Sequence, residues 1–384
     1  MKEKDRKKRK KGFKLPSVYK GCDSGLLMVL TVLLTYGIIM CFSASAPSAQ
    51  SQMGDAYYFV KRQIGWVFIG LIAMTVTASI DAKIYRKYSK VLIAVSIALT
   101  ALTLAMPAVK GAKRWLGVGS LGIQPSEMIK IALIIFLADR LSKQQWSPRA
   151  NNLTEFAVNY VKDFGKYVLL LGIICVILLL QPHLSCTVLI CAVAGFLFLV
   201  GGVKWSYLIS TASAAVAALA TFALSKGYTM ERLQSYLDPF KYAKDEGYQV
   251  VQSFYAIGSG GLFGLGLGQS RQKFLYIPEP QNDFIFSIIC EELGFFGALS
   301  VILLFGILIY RGVVIALNCK DTYSAMVVIG IITLITVQVV LNIGVVTGLI
   351  PNTGVSLPFF SYGGSSLVFM LASMGIILNI SKNN

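Results

Sequence analysis

Charge is scarce in this sequence: 14% of its 384 residues are Asp, Glu, Lys or Arg, where soluble domains average about a quarter. Apolar side chains make up 55%. Such a chain cannot enclose its apolar surface in one water-soluble core, so its solvent is largely lipid. Carboxylates are scarcer than cations, 18 Asp and Glu against 35 Lys and Arg, which leaves a formal net charge of +17. The only histidine is His183, in "QPHLSCT". One histidine makes a Ser-His-Asp arrangement untenable, and this one lacks companions at metal-ligand spacing. It reads as a hydrogen-bonded histidine at the membrane interface. The seven cysteines are odd in number and include no CxxC pair, so neither a disulfide framework nor a cysteine metal site is supported. No GK[ST], EF-hand or nucleic-acid motif occurs.

What is present is a series of long, non-alternating apolar runs. In lipid the backbone must satisfy itself, so such runs are helices. Candidate spans lie near 25–43, 64–80, 90–107, 126–140, 165–180, 185–202, 205–224, 283–310, 323–347 and 363–380. The fold class is therefore an all-α integral membrane protein of about ten transmembrane helices. The first run ends in "SASA", as a cleaved signal would, but it is longer than a signal core of about 7–15 residues and reads as a retained span. The basic opening "MKEKDRKKRKKGFK" reads as a cytoplasmic tail beside anionic lipid, not as a nucleic-acid arm. With that tail inside, the loops holding Lys83, Arg86, Lys87 and Lys90, then Arg140 and Lys143, then Lys204, then Arg311 and Lys320 are also inside, as is Lys382. Both termini are then cytoplasmic. Residues 1–24 form the tail, 25–382 a single membrane domain, and 226–282 a large external loop between helices 7 and 8.

Several charged stretches break the apolar pattern. Lys110, Lys113 and Arg114 of "KGAKRWLG" lie outside and close to the membrane. They either snorkel to lipid phosphates or form an anion site for a phosphate-bearing lipid. In "QPSEMIK", Glu127 and Lys130 share one helix face at the start of a span, and ionisable groups at that depth are functional candidates. "GSGGLFGLGLGQS" lacks the context of a nucleotide loop, so its glycines read as a re-entrant or tightly packed backbone. "RQKFLYIPEPQNDFIFSIICEELG" adds Arg271 and Lys273, Glu279 and Asp283 at the edge of a span, and Glu291 and Glu292 within it. "NIGVVTGLIPNTGVSLPFFSYGGSS" reads as a packed loop or a cavity lining.

These stretches, together with "FSAS", "FVKRQ" and "KRWLGVGSLGIQPSE", follow one another as in the SEDS family (shape, elongation, division and sporulation), which includes FtsW, RodA and SpoVE. The chain resembles that family from its first span to its last, most in the manner of FtsW or SpoVE. The resemblance implies a ten-helix SEDS-type bundle that polymerises lipid II into glycan strands at the outer face of the bacterial cytoplasmic membrane. It also implies a class B penicillin-binding protein as partner, with other division or sporulation membrane proteins and no nucleic acid. A carboxylate assists the acceptor hydroxyl, and undecaprenyl pyrophosphate leaves. Lys110, Lys113, Arg114, Glu127, Lys130, Arg271, Lys273 and Glu279 fall in matching stretches and carry over as site-lining residues. No cofactor is demanded; a divalent cation such as Mg²⁺ is compatible with a carboxylate-bearing outer site.

The resemblance departs at the residue expected to do chemistry. Relatives carry two acids in a pattern like [DN]PxxDPxGxGYQ. Here "LDPFKYAKDEGYQ" keeps Asp238-Pro239 and Gly247-Tyr248-Gln249 but places Tyr242 where the second acid belongs. Three readings stand. Asp245 takes over through a local rearrangement, which is the favoured one. Asp238 acts instead, although it also suits a cap. Or neither is catalytic, and the chain is a scaffold or activator of the transpeptidase. His183 and Ser185 likewise replace the Asp and Gly of the family's "QPDxGT". A lipid II flippase is a further alternative, but no internal repeat supports it.

Overall fold

The computed structural model describes residues 17–108, 112–117, 122–148, 150, 152–225, 234–245 and 247–382. It is all-helical: α1 (Ser24–Met53), α2 (Tyr58–Ser79), α3 (Ala82–Lys87), α4 (Ser89–Leu102), α5 (Pro125–Leu141), α6 (Leu153–Asn159), α7 (Lys166–Leu180), α8 (Leu184–Val200), α9 (Trp205–Ser225), α10 (Tyr248–Gly260), α11 (Ile285–Asn318), α12 (Thr322–Val346) and α13 (Gly364–Ser381). A π-helical turn, Tyr160–Gly165, joins α6 to α7. Among the described residues six helices are long and apolar enough to cross a membrane: 24–53, 58–79, 153–180, 285–318, 322–346 and 364–381. Helices α4, α5, α8 and α9 stand at the four remaining places where spans were expected. The tail up to residue 16, Lys110 and residues 226–233 of the external loop lie outside the described residues.

The helices are apolar on both faces, because one face meets protein and the other lipid. On α7, Leu169, Ile173, Val176 and Leu180 are exposed at helical spacing, while Ile174 and Leu178 are buried. Ile129, Leu133 and Ile134 of α5, Leu197 of α8 and Ile331 of α12 lie in the core. Helix α13 packs along α2, where Thr77 Oγ1 donates to the Ala372 carbonyl at 2.8 Å and Asn379 Nδ2 to the Ala78 carbonyl at 2.9 Å. At the same end Asp23 N donates to Ser381 Oγ at 3.2 Å, and the Asp23 carboxylate pairs with Arg311 and caps α1 through Leu26 N at 2.7 Å.

Helix α11 breaks at Gly294, whose φ of 65° and ψ of −161° suit only glycine. The break is filled by the glycine-rich segment after α10. Leu265 N donates to Glu291 O at 2.9 Å and Gly266 N to Glu292 O at 3.0 Å, while Phe295 N donates to Gly261 O at 2.9 Å. The loop thus satisfies the backbone groups that the break releases, as depth in a membrane requires. A Cβ on Gly294 would sit 2.4 Å from Gly264 N. Gly294→Ala is expected to cost roughly 2–5 kcal/mol, from backbone strain and overpacking together. Thermal unfolding of the detergent-solubilised variant checks this.

Candidate active site

A polar cavity of about 220 Å³ opens where α5, α8, α11 and α13 begin. It is lined by Arg114, Glu127, Lys130, His183, Asp283 and Gln338, with Trp115 and the serines 356, 365 and 366 on its wall. The residues before these four helices are Gln124, His183, Phe284 and Gly363, and none makes a side-chain cap. By contrast Asp23, Asp81 and Asp321 cap α1, α3 and α12, three helices that begin at the opposite end. Four uncapped N-termini bring unpaired N–H groups and positive dipole ends to one place, which favours an anion.

Each wall has a local cause. The strand-like bridge between Leu116 and Ile123, with hydrogen bonds of 2.9 and 2.8 Å, folds the segment before α5 back on itself. Arg114 then donates through Nε to the Gln181 carbonyl at 3.1 Å and through a terminal nitrogen to the Pro182 carbonyl. This ties that segment to the α7–α8 turn. Gln181 in turn donates to Thr100 O and Thr103 Oγ1 of the α4 end. On the other side Asn342 Nδ2 donates to the carbonyls of Asp283 and Val355, both at 2.7 Å. Ser361 Oγ donates to Asn282 O at 2.8 Å. These bonds join the loop before α11 to the loop before α13.

Glu127 and Lys130 form a nearly buried ion pair at 2.7 Å. The other carboxylate in the cavity, Asp283, has no hydrogen-bond donor or cation paired with it among the described residues. Its Oδ2 lies 3.2 Å from where a Cβ on Gly354 would stand. Burial and then the nearby Glu279 charge push its carboxyl up to about 6. His183 goes the other way, to about 3, through burial and then the charges of Arg114 and Lys130. It is therefore neutral at pH 7 and cannot replace the charge of an acid. The sequence suggested a hydrogen-bonded interfacial histidine; among the described residues its buried Nδ1, beside the cavity, has no partner. Among the described residues no group of three or more His, Cys, Asp or Glu side chains is arranged to hold a metal ion.

Of the site residues expected from sequence, Arg114, Glu127 and Lys130 line this cavity and the other described ones do not. Lys110 is outside the described residues. Lys113 donates to the Leu104 carbonyl at 3.2 Å. Lys273 is buried and bound to Glu292 at 2.7 Å, with Ser43 on the same carboxylate. Arg271 is exposed, and its backbone N–H donates to Glu291 at 2.9 Å. Glu279 is exposed and accepts from Asn282 Nδ2 at 2.7 Å. In the external loop Asp238 and Asp245 are both exposed. Asp238 Oδ1 accepts from Lys241 N at 3.2 Å, a local turn contact. Tyr242 donates to Gln234 Oε1 at 3.3 Å. Sequence reasoning noticed Asp283 and the 342–366 segment without making them site residues. Nothing local marks their convergence, since residues 281–283 and 354–366 are far apart in sequence and meet through Asn342, Ser361 and the bond from Tyr362 N to Gln281 O.

Comparison with known proteins gives a consistent picture. The FtsW/RodA/SpoVE family of cell cycle proteins matches residues 24–384. Stage V sporulation protein E of Bacillus subtilis (strain 168) is 43% identical over 365 residues, covering 94% of this chain and 97% of that protein. The probable peptidoglycan glycosyltransferase FtsW of Geobacter sp. (strain M18) is 35% identical with the same coverage, 94% and 97%. Among solved structures, a chain of a peptidoglycan synthase complex, studied for its coordination of polymerisation and crosslinking, superposes with a TM-score of 0.76 at 26% identity, covering 94% of this chain and 98% of that one. The rod shape determining protein RodA of Thermus thermophilus gives 0.68 at 27% identity, covering 94% and 97%.

Proposed function

The chain belongs to the FtsW/RodA/SpoVE family, and from that premise we propose that it is a peptidoglycan glycosyltransferase that polymerises lipid II at the outer face of the cytoplasmic membrane. The observation that carries this reading is one cavity holding both halves of the chemistry. Asp283 offers a carboxylate that is unpaired among the described residues, and Arg114 with four uncapped helix N-termini offers positive potential. In the proposed reaction Asp283 takes the proton of the acceptor sugar hydroxyl as that oxygen attacks the donor's anomeric carbon. The bond to undecaprenyl pyrophosphate breaks with its electron pair. Arg114 and the helix ends stabilise the charge that develops on the leaving group. Both substrates are held in the membrane, which reduces the cost of orienting them. Glu127 and Lys130 shape the pocket as a fixed pair. Asp245, on the external loop, contacts substrate from outside, whereas Asp238 shapes the turn. Lys113, Arg271 and Glu279 belong to the outer approach. Both termini are cytoplasmic in this reading, and a class B penicillin-binding protein crosslinks the product.

The test uses the purified protein with its class B partner and labelled lipid II. Wild type is expected to form glycan strands. Asp245→Ala is expected to slow polymerisation about tenfold and Asp238→Ala by less than threefold, because among the described residues Asp238 is engaged in a local turn contact and the Asp245 side chain is not (order of magnitude, one substrate hydrogen bond). An inactive wild type with a working partner would favour the scaffold reading, which Tyr242 in the acid's place keeps in contention. Abolition by Asp245→Ala alone would move the base to the loop.

The pH dependence has a definite sign. A base must be deprotonated, and the Asp283 carboxyl titrates at about 6. Polymerisation is expected to be flat above about pH 7. It should fall tenfold per pH unit below about 6, which initial rates between pH 4.5 and 8 would show.

A further inference from the structure

A second concavity lies at the other end of α5 from the candidate active site. It has a volume of about 480 Å³ and is lined by Lys83, Arg86, Lys87, Lys90, Arg140 and Lys143, with Ser89 and a single carboxylate, Asp139. This volume is within the range of about 300–1,000 Å³ typical of small-molecule sites. Asp139 lies roughly 18 Å along α5 from Glu127 at 1.5 Å per residue, so the two sites are separate. The charge distribution assigns this end to the cytoplasm.

An excess of lysine and arginine at that end orients a membrane protein by itself. It does not require the cations to converge on a cavity or to be anchored there. Here they are anchored. Asp139 is buried and accepts from Arg86 Nε at 3.2 Å and from Ser89 Oγ at 3.2 Å, and Lys143 pairs with it from the next turn. Arg140 Nε stands 3.8 Å from the same carboxylate. Arg86 also lies over the Tyr323 ring, 5.1 Å from its centroid, and its Nη1 is 3.7 Å from Asp321 Oδ1. One buried acid thus holds a fork of cations at fixed positions. Among the described residues Lys83, Lys87 and Lys90 have no carboxylate partner, and all three are exposed along the same rim. The cations on the rim outnumber the acid that organises them, which leaves room for an external anion.

We propose that this cavity binds a phosphate-bearing anion, with Arg86 and Arg140 as the fixed donors and Lys83, Lys87 and Lys90 closing on it. Guanidinium and ammonium groups together match phosphate oxygens, the one by its fork and the other as a point charge. The cavity sits where the end of a span meets water, so the phosphate comes either from a lipid headgroup or from a soluble phosphorylated compound.

The test uses the full-length protein in nanodiscs. One arm compares phosphatidylcholine discs with discs containing cardiolipin. The other adds inorganic pyrophosphate to phosphatidylcholine discs. Melting temperature and native mass spectrometry read binding. A triple variant, Lys83→Ser with Lys87→Ser and Lys90→Ser, leaves the Asp139 cluster intact, and a second triple variant replaces the same lysines by Arg. The expected result is binding by wild type and the arginine variant, weakened about 100-fold in the serine variant at roughly fivefold per lysine. It should also weaken with added salt. Binding in the cardiolipin arm alone supports the proposal with a headgroup as ligand. Binding of pyrophosphate supports it with a soluble one. Absence of binding in both arms, or equal binding by wild type and the serine variant, overturns it.

Discussion

Asp283→Asn is expected to lower glycan polymerisation by roughly 10²–10⁴-fold, the usual worth of a positioned general base. The substitution keeps the shape of the side chain and removes only its capacity to take a proton. Its neighbours are held by other groups, since Asn342 reaches the Asp283 backbone carbonyl and not its carboxylate. The fold should therefore survive. Stability provides an independent check with a definite sign. The folded carboxyl titrates at about 6, above the ordinary aspartate value of about 3.9. The native state thus binds this proton more tightly than the unfolded chain. That contribution is present in full below about pH 4 and is lost as pH rises through about 6. Asp283→Asn should melt no lower than wild type at pH 7.5, while losing activity. Equal polymerisation rates for Asp283→Asn and wild type would remove the base from the cavity. A loss of activity with a matching loss of melting temperature would mean that Asp283 acts on the fold.

Lys130→Met is expected to be the most destabilising of the conservative changes at the site. Lys130 and Glu127 are 5% and 9% exposed and 2.7 Å apart. Removing one partner leaves the other buried and uncompensated, at a cost of about 3–5 kcal/mol. Removing both, in Glu127→Gln with Lys130→Met, leaves no buried charge and should recover part of that loss. A double-mutant cycle on melting in detergent measures the difference. If the losses of the two single variants, Glu127→Gln and Lys130→Met, add up to that of the double variant, the pair contributes nothing to the fold. Polymerisation should be low in all three, because the pair also forms the cavity wall.

The glycine-rich segment shows how far a local pattern reaches. The sequence marks residues 258–270 as closely packed backbone, and the structure bears this out at Gly264, where a Cβ would meet Glu292 O at 2.1 Å. What the segment packs against, a break in α11 at Gly294, lies some thirty residues onward and has no local signature. Lys273 illustrates the opposite case. The family resemblance carries it over as a site-lining residue, and in the structure the side chain is folded inward onto Glu292. Charge in a sequence states what a residue can pair with, and only the tertiary structure selects the partner.

By itself the sequence determined that this is a multi-span helical membrane protein, roughly where its spans lie and which family it belongs to. Each of these follows from short-range facts: apolar run length against bilayer thickness, and motifs read in order. The tertiary structure alone decided which charged groups share a cavity. It took Arg114, Lys130, His183 and Asp283 from four separated segments and brought them together at four helix N-termini. It left Asp238 and Asp245 on an exposed loop. The physical reason is that helices in lipid are nearly uniform along their faces. Their mutual placement is set by close glycine contacts, such as Gly330 against Ile134, and by a few buried hydrogen bonds between distant residues.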